Sequence, residues 1–195
     1  MNVTLSPISY ETSTANPCES DDGIHGVLDA RLLAEPRIRD FHRSSRAEEA
    51  LMSSDAPPGS AVRIARTSDR VLTIVAIPDG HGQFPALRRS LCRGWHRANV
   101  LVLSERWLRR RPHLDGSALI ADSARFPVSP LARVLIAEHL MDQGGSSHLS
   151  DCAGHLPRTR DPIRVVLSLA AAKAITIDIS RPIGPWTRVS LPPSR

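Results

Sequence analysis

The chain is nearly devoid of lysine, poor in aromatic side chains and free of long apolar runs. Lys173 is its one lysine beside a large excess of arginine, and Phe, Trp and Tyr make up 4% of the residues. No apolar run approaches the roughly 20 residues that span a bilayer, and the N-terminus lacks the basic region and apolar core of a signal peptide. We therefore expect a cytoplasmic protein that does not bind to a membrane.

Cysteine pairs and the common nucleotide-binding and hydrolase motifs are missing as well. Cys18, Cys92 and Cys152 lie far apart and form no C-x-x-C pair, which indicates neither a disulfide framework nor a zinc knuckle. The sequence contains no P-loop, G-x-S-x-G or G-x-G-x-x-G. His148, Cys152 and His155 have the spacing to share one helix face. A fourth ligand is missing, so incidental placement is favoured over a metal site.

The composition is that of a globular protein, and its charged residues are unevenly distributed along the chain. The 195 residues, 41% of them hydrophobic, suffice for one ordinary domain or for a small domain plus a smaller one. The net charge is +5, and residues 61–120 carry eleven basic and four acidic side chains. A GC-rich genome would explain the arginine bias by itself, but a basic middle segment is also what a phosphate-binding surface needs.

Two apolar strands organise the first part of the chain. Residues 71–77 form a β-branched run that stops at Pro78, and residues 100–103 form a second run after an amphipathic helix. This strand–helix–strand order is typical of a parallel sheet with both faces covered. Residues 62–65 are expected to pair with the first strand as a hairpin. Ile24, Val27, Leu28 and Leu32 predict an earlier helix that ends at Pro36.

Arginines mark two surfaces in the basic segment. Arg89, Arg93 and Arg97 recur every four residues on the predicted helix 85–98, with Arg88 beside them, and a second run covers Arg109, Arg110 and Arg111. Like charges four apart cost roughly 0.2–0.5 kcal/mol per pair in an isolated helix, which an acidic partner would offset. Phosphate contact is therefore one interpretation, and an ordinary solvated face is the other.

The pattern of apolar residues in the last third of the chain predicts three helices followed by two strands. This is the order of a winged-helix domain. The helices are expected at 130–143, 147–156 and 162–174, and the strands at 175–179 and 187–191. The third helix is expected to expose Arg164, Ser168, Ala171 and Ala172, a set poor in groups that read base edges. Arg181 and Arg188 on the hairpin suit phosphates better. Sequence-specific DNA reading is therefore disfavoured, and packing against a partner protein is at least as plausible.

The combined order resembles a known nuclease scaffold. The features are Glu19-Ser20-x-Asp22 opening a helix, Glu35-Pro36-Arg37-Ile38 after it, the strand 71–78, Ser104-Glu105-x-x-Leu108-x-x-x-Pro112-x-Leu114, and the terminal winged helix. Together they are similar to the TnsA-like endonuclease subunits of bacterial heteromeric transposons. The resemblance covers roughly residues 18–192. It implies an α/β fold with a restriction-endonuclease-like core at 19–125 and a small winged helix at 126–192, after a disordered arm at 1–18.

The same resemblance implies that most catalytic groups are gone. That family uses an acid on the first helix, an Asp at the start of the second strand and Glu-x-Lys on the third, where carboxylates hold Mg²⁺ and the lysine stabilises developing charge. Here the first acid falls on Asp22, the second has no counterpart in 60–66, and Glu-x-Lys falls on Ala76-Ile77-Pro78. A shifted register would recruit Asp79 as a weak candidate.

Three hypotheses follow. The leading one is a catalytically inactive nuclease-like protein without a cofactor, which associates with DNA through its arginines or with transposition proteins through its winged helix. The second is a metal-dependent DNA endonuclease, in which Asp22 and Asp79 would hold Mg²⁺. The third is a winged-helix adaptor that binds protein alone.

Overall fold

The computed structural model describes residues 23–80, 84–94, 99–156 and 159–192. The predicted arm at 1–18, Asp22 and Arg97 lie outside these ranges. The described chain is a mixed α/β structure with eight helices, a four-stranded sheet and a three-stranded sheet.

The four-stranded sheet lies in the first part of the chain. Its elements are α1 (Ile24–Ala34), β1 (Asp40–His42), α2 (Ser45–Met52), β2 (Ala61–Arg66), β3 (Val71–Ile77), α3 (Phe84–Gly94), β4 (Asn99–Ser104), α4 (Glu105–Leu108) and α5 (His113–Ser123). The strand order is β1-β2-β3-β4, with antiparallel pairs except for β3 and β4, which are parallel. The connection through α3 makes that last pair parallel, because parallel neighbours need a crossover.

Helices cover both faces of this sheet. Successive side chains of a strand point to opposite faces. One alternating set, Ala61, Ala65, Ile74 and Ala76, belongs to an apolar cluster with α1. The other set, which includes Val62, Val75 and Ile77, belongs to a second cluster with α2 and α3. The molecule therefore has three layers here, with β2 and β3 at the centre.

The second sheet lies in the last third of the chain. Its elements are α6 (Pro130–Asp142), β5 (Ser146–His148), α7 (Leu149–Gly154), α8 (Pro162–Ala171), β6 (Thr176–Ile177) and β7 (Arg188–Ser190). The strand order is β5-β7-β6, and both pairs are antiparallel. Side chains of α6, α7, α8 and this sheet share one apolar cluster.

Most of the sequence-based elements are confirmed. Helix α1 buries Ile24, Leu28 and Leu32 as its spacing predicts, and β2, β3, α3 and β4 follow in the expected order. Helices α6 and α8 begin with proline after a capping side chain, Ser129 and Asp161 respectively. The two last strands are shorter than expected.

Other expectations are wrong. The Ser-, Pro- and charge-rich composition of residues 43–60 predicts a loop with one helical turn, but Ser44 caps an eight-residue helix, α2, that buries Ala47 and Leu51. The expected helix at 147–156 is a short strand, β5, followed by α7. Helix α5 was not predicted, and it packs against both α1 and α8. It thereby joins the two sheets' layers into one packed body.

The third helix of the second half is covered along most of its length, although Arg164 and Ala172 at its two ends are exposed as expected. Every residue of α8 from Val165 to Ala171 is buried. The expectation that Ser168 and Ala171 lie on its surface is wrong, because α5, α7 and α1 pack around it. The Ser168 hydroxyl donates to the Phe126 carbonyl at 3.0 Å. Among the described residues, no helix is both long and apolar enough to cross a bilayer.

Candidate functional site

The end of the central strands, where a nuclease-like site is expected, is apolar. Ala61 begins β2 and lies opposite Ala76 of β3 in the antiparallel register. Both are at most 1% exposed, and both belong to the apolar cluster that includes Ile24 of α1 and Leu108 of α4. Methyl groups neither bind a divalent cation nor donate to a phosphate. The two strand positions that face α1 at this end of the sheet therefore supply no metal chemistry.

An ion pair lies on the same face of the sheet, two residues further along β2. Arg63 of β2 has a fully buried side chain and meets Asp29 of α1 with a two-fold contact, Nε to Oδ1 at 2.6 Å and Nη2 to Oδ2 at 2.9 Å. Its Nη1 donates to the Val62 carbonyl at 2.7 Å. The carboxylate that α1 directs at the sheet is therefore already engaged by a protein cation.

Of the two weak catalytic candidates, Asp79 is the one that lies within the described residues. Asp22 lies outside the described residues. Asp79 follows β3, and its Oδ1 accepts a hydrogen bond from the backbone N–H of Arg106 at 2.9 Å. Ser104 accepts from the N–H of Trp107, so both side chains satisfy the N-terminal donors of α4. Asp79 thus has a structural use at the carboxyl end of β3.

Four arginines cluster beside this strand end, and we call Arg106, Arg109, Arg110 and Arg111 the α4–α5 arginine cluster. All four are exposed. Two of them are partly neutralised, Arg109 by Glu105 at 2.7 Å and Arg111 by Asp115 at 3.5 Å. Such exposed pairs are worth little, so the cluster can still attract an external anion.

The loop that carries Arg181 lies against α5, the helix that follows the arginine cluster. The loop between β6 and β7 packs on α5, where a Cβ built on Gly116 would lie 2.9 Å from the Cβ of Ile179. The pKa of the Asp178 carboxyl is lowered, chiefly by hydrogen bonds from Ser180 and also by the charges of Arg181 and His113. His113 opens α5, directly after the arginine cluster. The structure therefore places Arg181 and Arg109–Arg111 on neighbouring elements.

The remaining basic candidates are placed less fully. Arg89 on α3 is exposed, and its Nε donates to the Pro85 carbonyl at 3.2 Å. The side chains of Arg88 and Arg93 and all of Arg97 lie outside the described residues. Arg188 is exposed on β7 and donates to the Ser146 hydroxyl at 3.0 Å.

Trp186 is a prominent exposed residue that the sequence patterns above do not single out. Trp186, in the turn before β7, is 77% exposed, and its ring meets the edge of His148 with centroids 5.6 Å apart. A tryptophan between Pro185 and Thr187 in a turn rich in proline and glycine was the available signal, since such a turn offers little core in which to bury an indole.

The His and Cys side chains of the second half do not converge on a metal position. Cys152 is completely buried, and burial together with the Asp151 charge raises the pKa of its thiol to about 11. His139 and His155 stack with ring centroids 3.9 Å apart. Within the part of the chain that the structure describes, no group of three His, Cys, Asp or Glu side chains is placed to hold a metal ion.

Comparisons with protein-family models, with curated proteins and with solved structures find no match. The site is thus described by its own chemistry: an apolar strand end, an internally neutralised carboxylate and a neighbouring row of exposed arginines.

Proposed function

We propose that this chain is a catalytically inactive, nuclease-like protein that associates with DNA in the cytoplasm. The proposal combines a restriction-endonuclease-like core with a winged-helix domain of the TnsA-like kind. The observation that carries it is the pair Ala61 and Ala76. These two buried residues lie opposite each other on β2 and β3, at the positions where the resemblance requires carboxylates.

The topology supports the two fold assignments. In the first half, a mixed four-stranded sheet has α1 on one face and α2 and α3 on the other. In the second half, the order α6-β5-α7-α8-β6-β7 with sheet order β5-β7-β6 is what a winged helix requires. Under this proposal the chain has kept an arrangement suited to DNA while lacking the groups for cleavage.

The basic surface supports DNA as the partner. The α4–α5 arginine cluster follows β4 beside the apolar strand end. A DNA backbone placed there would meet guanidinium groups, which bind phosphate with two parallel hydrogen bonds. Helix α8 is buried from Val165 to Ala171, so only its ends are open to a DNA groove. Binding should therefore depend on charge more than on base sequence.

The test is DNA binding at graded salt by mobility shift. The wild-type chain should bind duplex DNA at low salt, with affinity that falls steeply as salt rises. The double variant Arg110→Gln/Arg111→Gln should weaken binding to all sequences alike and reduce the salt slope by about one for each phosphate that is no longer neutralised. Arg133→Gln, an exposed arginine on α6, serves as the control. Absence of binding at low salt, or equal weakening in the control, would contradict the proposal.

A role in transposition rests on the resemblance alone and concerns the protein partner. A pull-down with purified transposition proteins would test it. If the chain binds DNA but none of these proteins, the role in transposition is contradicted and the DNA association is retained.

A further inference from the structure

Trp186 is the tryptophan with the greatest accessible fraction in the described chain, and it is held in place from several sides. It projects from the turn between β6 and β7 with 77% of its surface accessible. An indole in that position exposes a large apolar area to water at a cost, because aromatic side chains bury 150–250 Å² when they find a partner. The contacts that hold the side chain outward therefore indicate what kind of surface it suits.

The turn that carries Trp186 is fixed by the second sheet and α7. The backbone N–H groups of Leu149 and Ser150, at the start of α7, donate to the Thr187 and Pro185 carbonyls at 2.9 and 3.0 Å. The Thr187 N–H donates to the Gly184 carbonyl at 3.0 Å, and the Thr187 hydroxyl accepts from the Gly184 N–H at 2.8 Å. The turn is therefore rigid, and binding through it loses little conformational freedom.

His148 fixes the indole itself. Its ring meets the Trp186 ring edge-on, at an interplanar angle of 84°, and its Nδ1 lies 3.2 Å from the Trp186 carbonyl oxygen. The tryptophan is thus pre-oriented as a flat, exposed platform rather than as a loose side chain.

The hairpin that carries this platform also carries exposed arginines. Arg188 is exposed on β7, and Arg181 is exposed on the same hairpin. A flat aromatic face beside guanidinium groups is the arrangement that binds single-stranded nucleic acid, where a base stacks on the ring and the backbone meets the cations. Bases in an intact duplex are already stacked, and separating them costs a few kcal/mol per step.

We propose that Trp186 stacks on an unpaired DNA base, so that the hairpin makes the chain prefer DNA with single-stranded ends or branches over blunt duplex. This inference rests on the proposed DNA association and adds the class of DNA to it. The α4–α5 arginine cluster would hold the duplex backbone, while Trp186, Arg181 and Arg188 would hold the unpaired strand.

The test is fluorescence anisotropy with the full chain and two labelled DNAs, a blunt duplex and the same duplex with a single-stranded overhang. The wild type should bind the overhang DNA more tightly. Trp186→Ala should weaken binding to that DNA by about 5- to 150-fold, the range that corresponds to losing one stacked base, and should leave blunt-duplex affinity nearly unchanged. Trp186→Phe should retain part of the preference.

Met52→Ala is the matched control, since Met52 is 87% exposed on α2, in the first half of the chain. It should change neither affinity. Equal affinities of wild type and Trp186→Ala for the overhang DNA would overturn the inference while leaving duplex binding intact. Failure of the wild type to bind either DNA would overturn this inference together with the proposed function.

Discussion

The ion pair between Arg63 and Asp29 makes the sharpest prediction about the core of the fold. The Arg63 side chain is fully buried between the sheet and α1, whereas Asp29 is 20% exposed. Asp29 also lies 3.6 Å from Arg43, whose side chain is 56% exposed. The two partners are therefore not equivalent. Replacing Asp29 leaves the buried Arg63 cation without a counter-charge, whereas replacing Arg63 leaves a carboxylate that water and Arg43 still contact.

The magnitude follows from that asymmetry. Asp29→Leu should lower the free energy of unfolding by about 3–5 kcal/mol, the usual cost of leaving a buried charge without its partner. Arg63→Met should cost less, about 1–3 kcal/mol, since it leaves a hydrogen-bonding group only partly unsatisfied. The double variant should approach wild-type stability, because apolar residues of similar volume often replace a buried pair at no net cost.

Urea unfolding at low temperature, followed by circular dichroism, measures all three variants in one double-mutant cycle. A decrease below about 1 kcal/mol in Asp29→Leu would refute the reasoning, as would a larger decrease in Arg63→Met than in Asp29→Leu. A double variant no more stable than the sum of its single changes would show that the pair has no coupling.

Three further predictions concern the second half and its contacts with α1 and α5. The Lys173 ammonium donates to the Leu32, Leu33 and Glu35 carbonyls at the end of α1, so Lys173→Met should lower the free energy of unfolding by about 1–3 kcal/mol in urea. Burial, helped by His155, lowers the pKa of His139 from 6.5. The unfolded chain then binds the proton first, so stability should fall as pH drops below about 6.5, and His139→Gln should flatten that dependence in melts at graded pH. Gly116→Ala should lower the free energy of unfolding in urea by about 1–3 kcal/mol, because its Cβ would clash with Ile179. Gly154→Ala should not lower it, because the space around that Cβ is open.

Sequence periodicity sufficed for the elements whose apolar faces repeat cleanly. The spacing of Ile24, Leu28 and Leu32 predicts α1, and the cap Asp161 before Pro162 marks the start of α8. Periodicity did not predict the burial of helix α8. Its run from Val165 to Ala171 is apolar or small all round, which indicates complete burial, but a one-faced helix was expected there.

The site itself was less accessible from the sequence. Arg63 alternates with apolar residues and resembles a solvent-facing position, and only the fold brings Asp29 of α1 against it. The lack of an acid at Ala76 was visible in the sequence, whereas its pairing with Ala61 depends on the register of two strands. A register is a long-range property that local pattern does not determine.

The central claim is that this chain binds DNA without cutting it. The most direct measurement is incubation of the full chain with supercoiled plasmid in Mg²⁺ or Mn²⁺, with binding and nicking followed on parallel gels. We expect retarded plasmid that remains supercoiled at every protein concentration. Metal-dependent nicking that Asp22→Ala or Asp79→Ala abolishes would contradict it and would make the chain an active endonuclease.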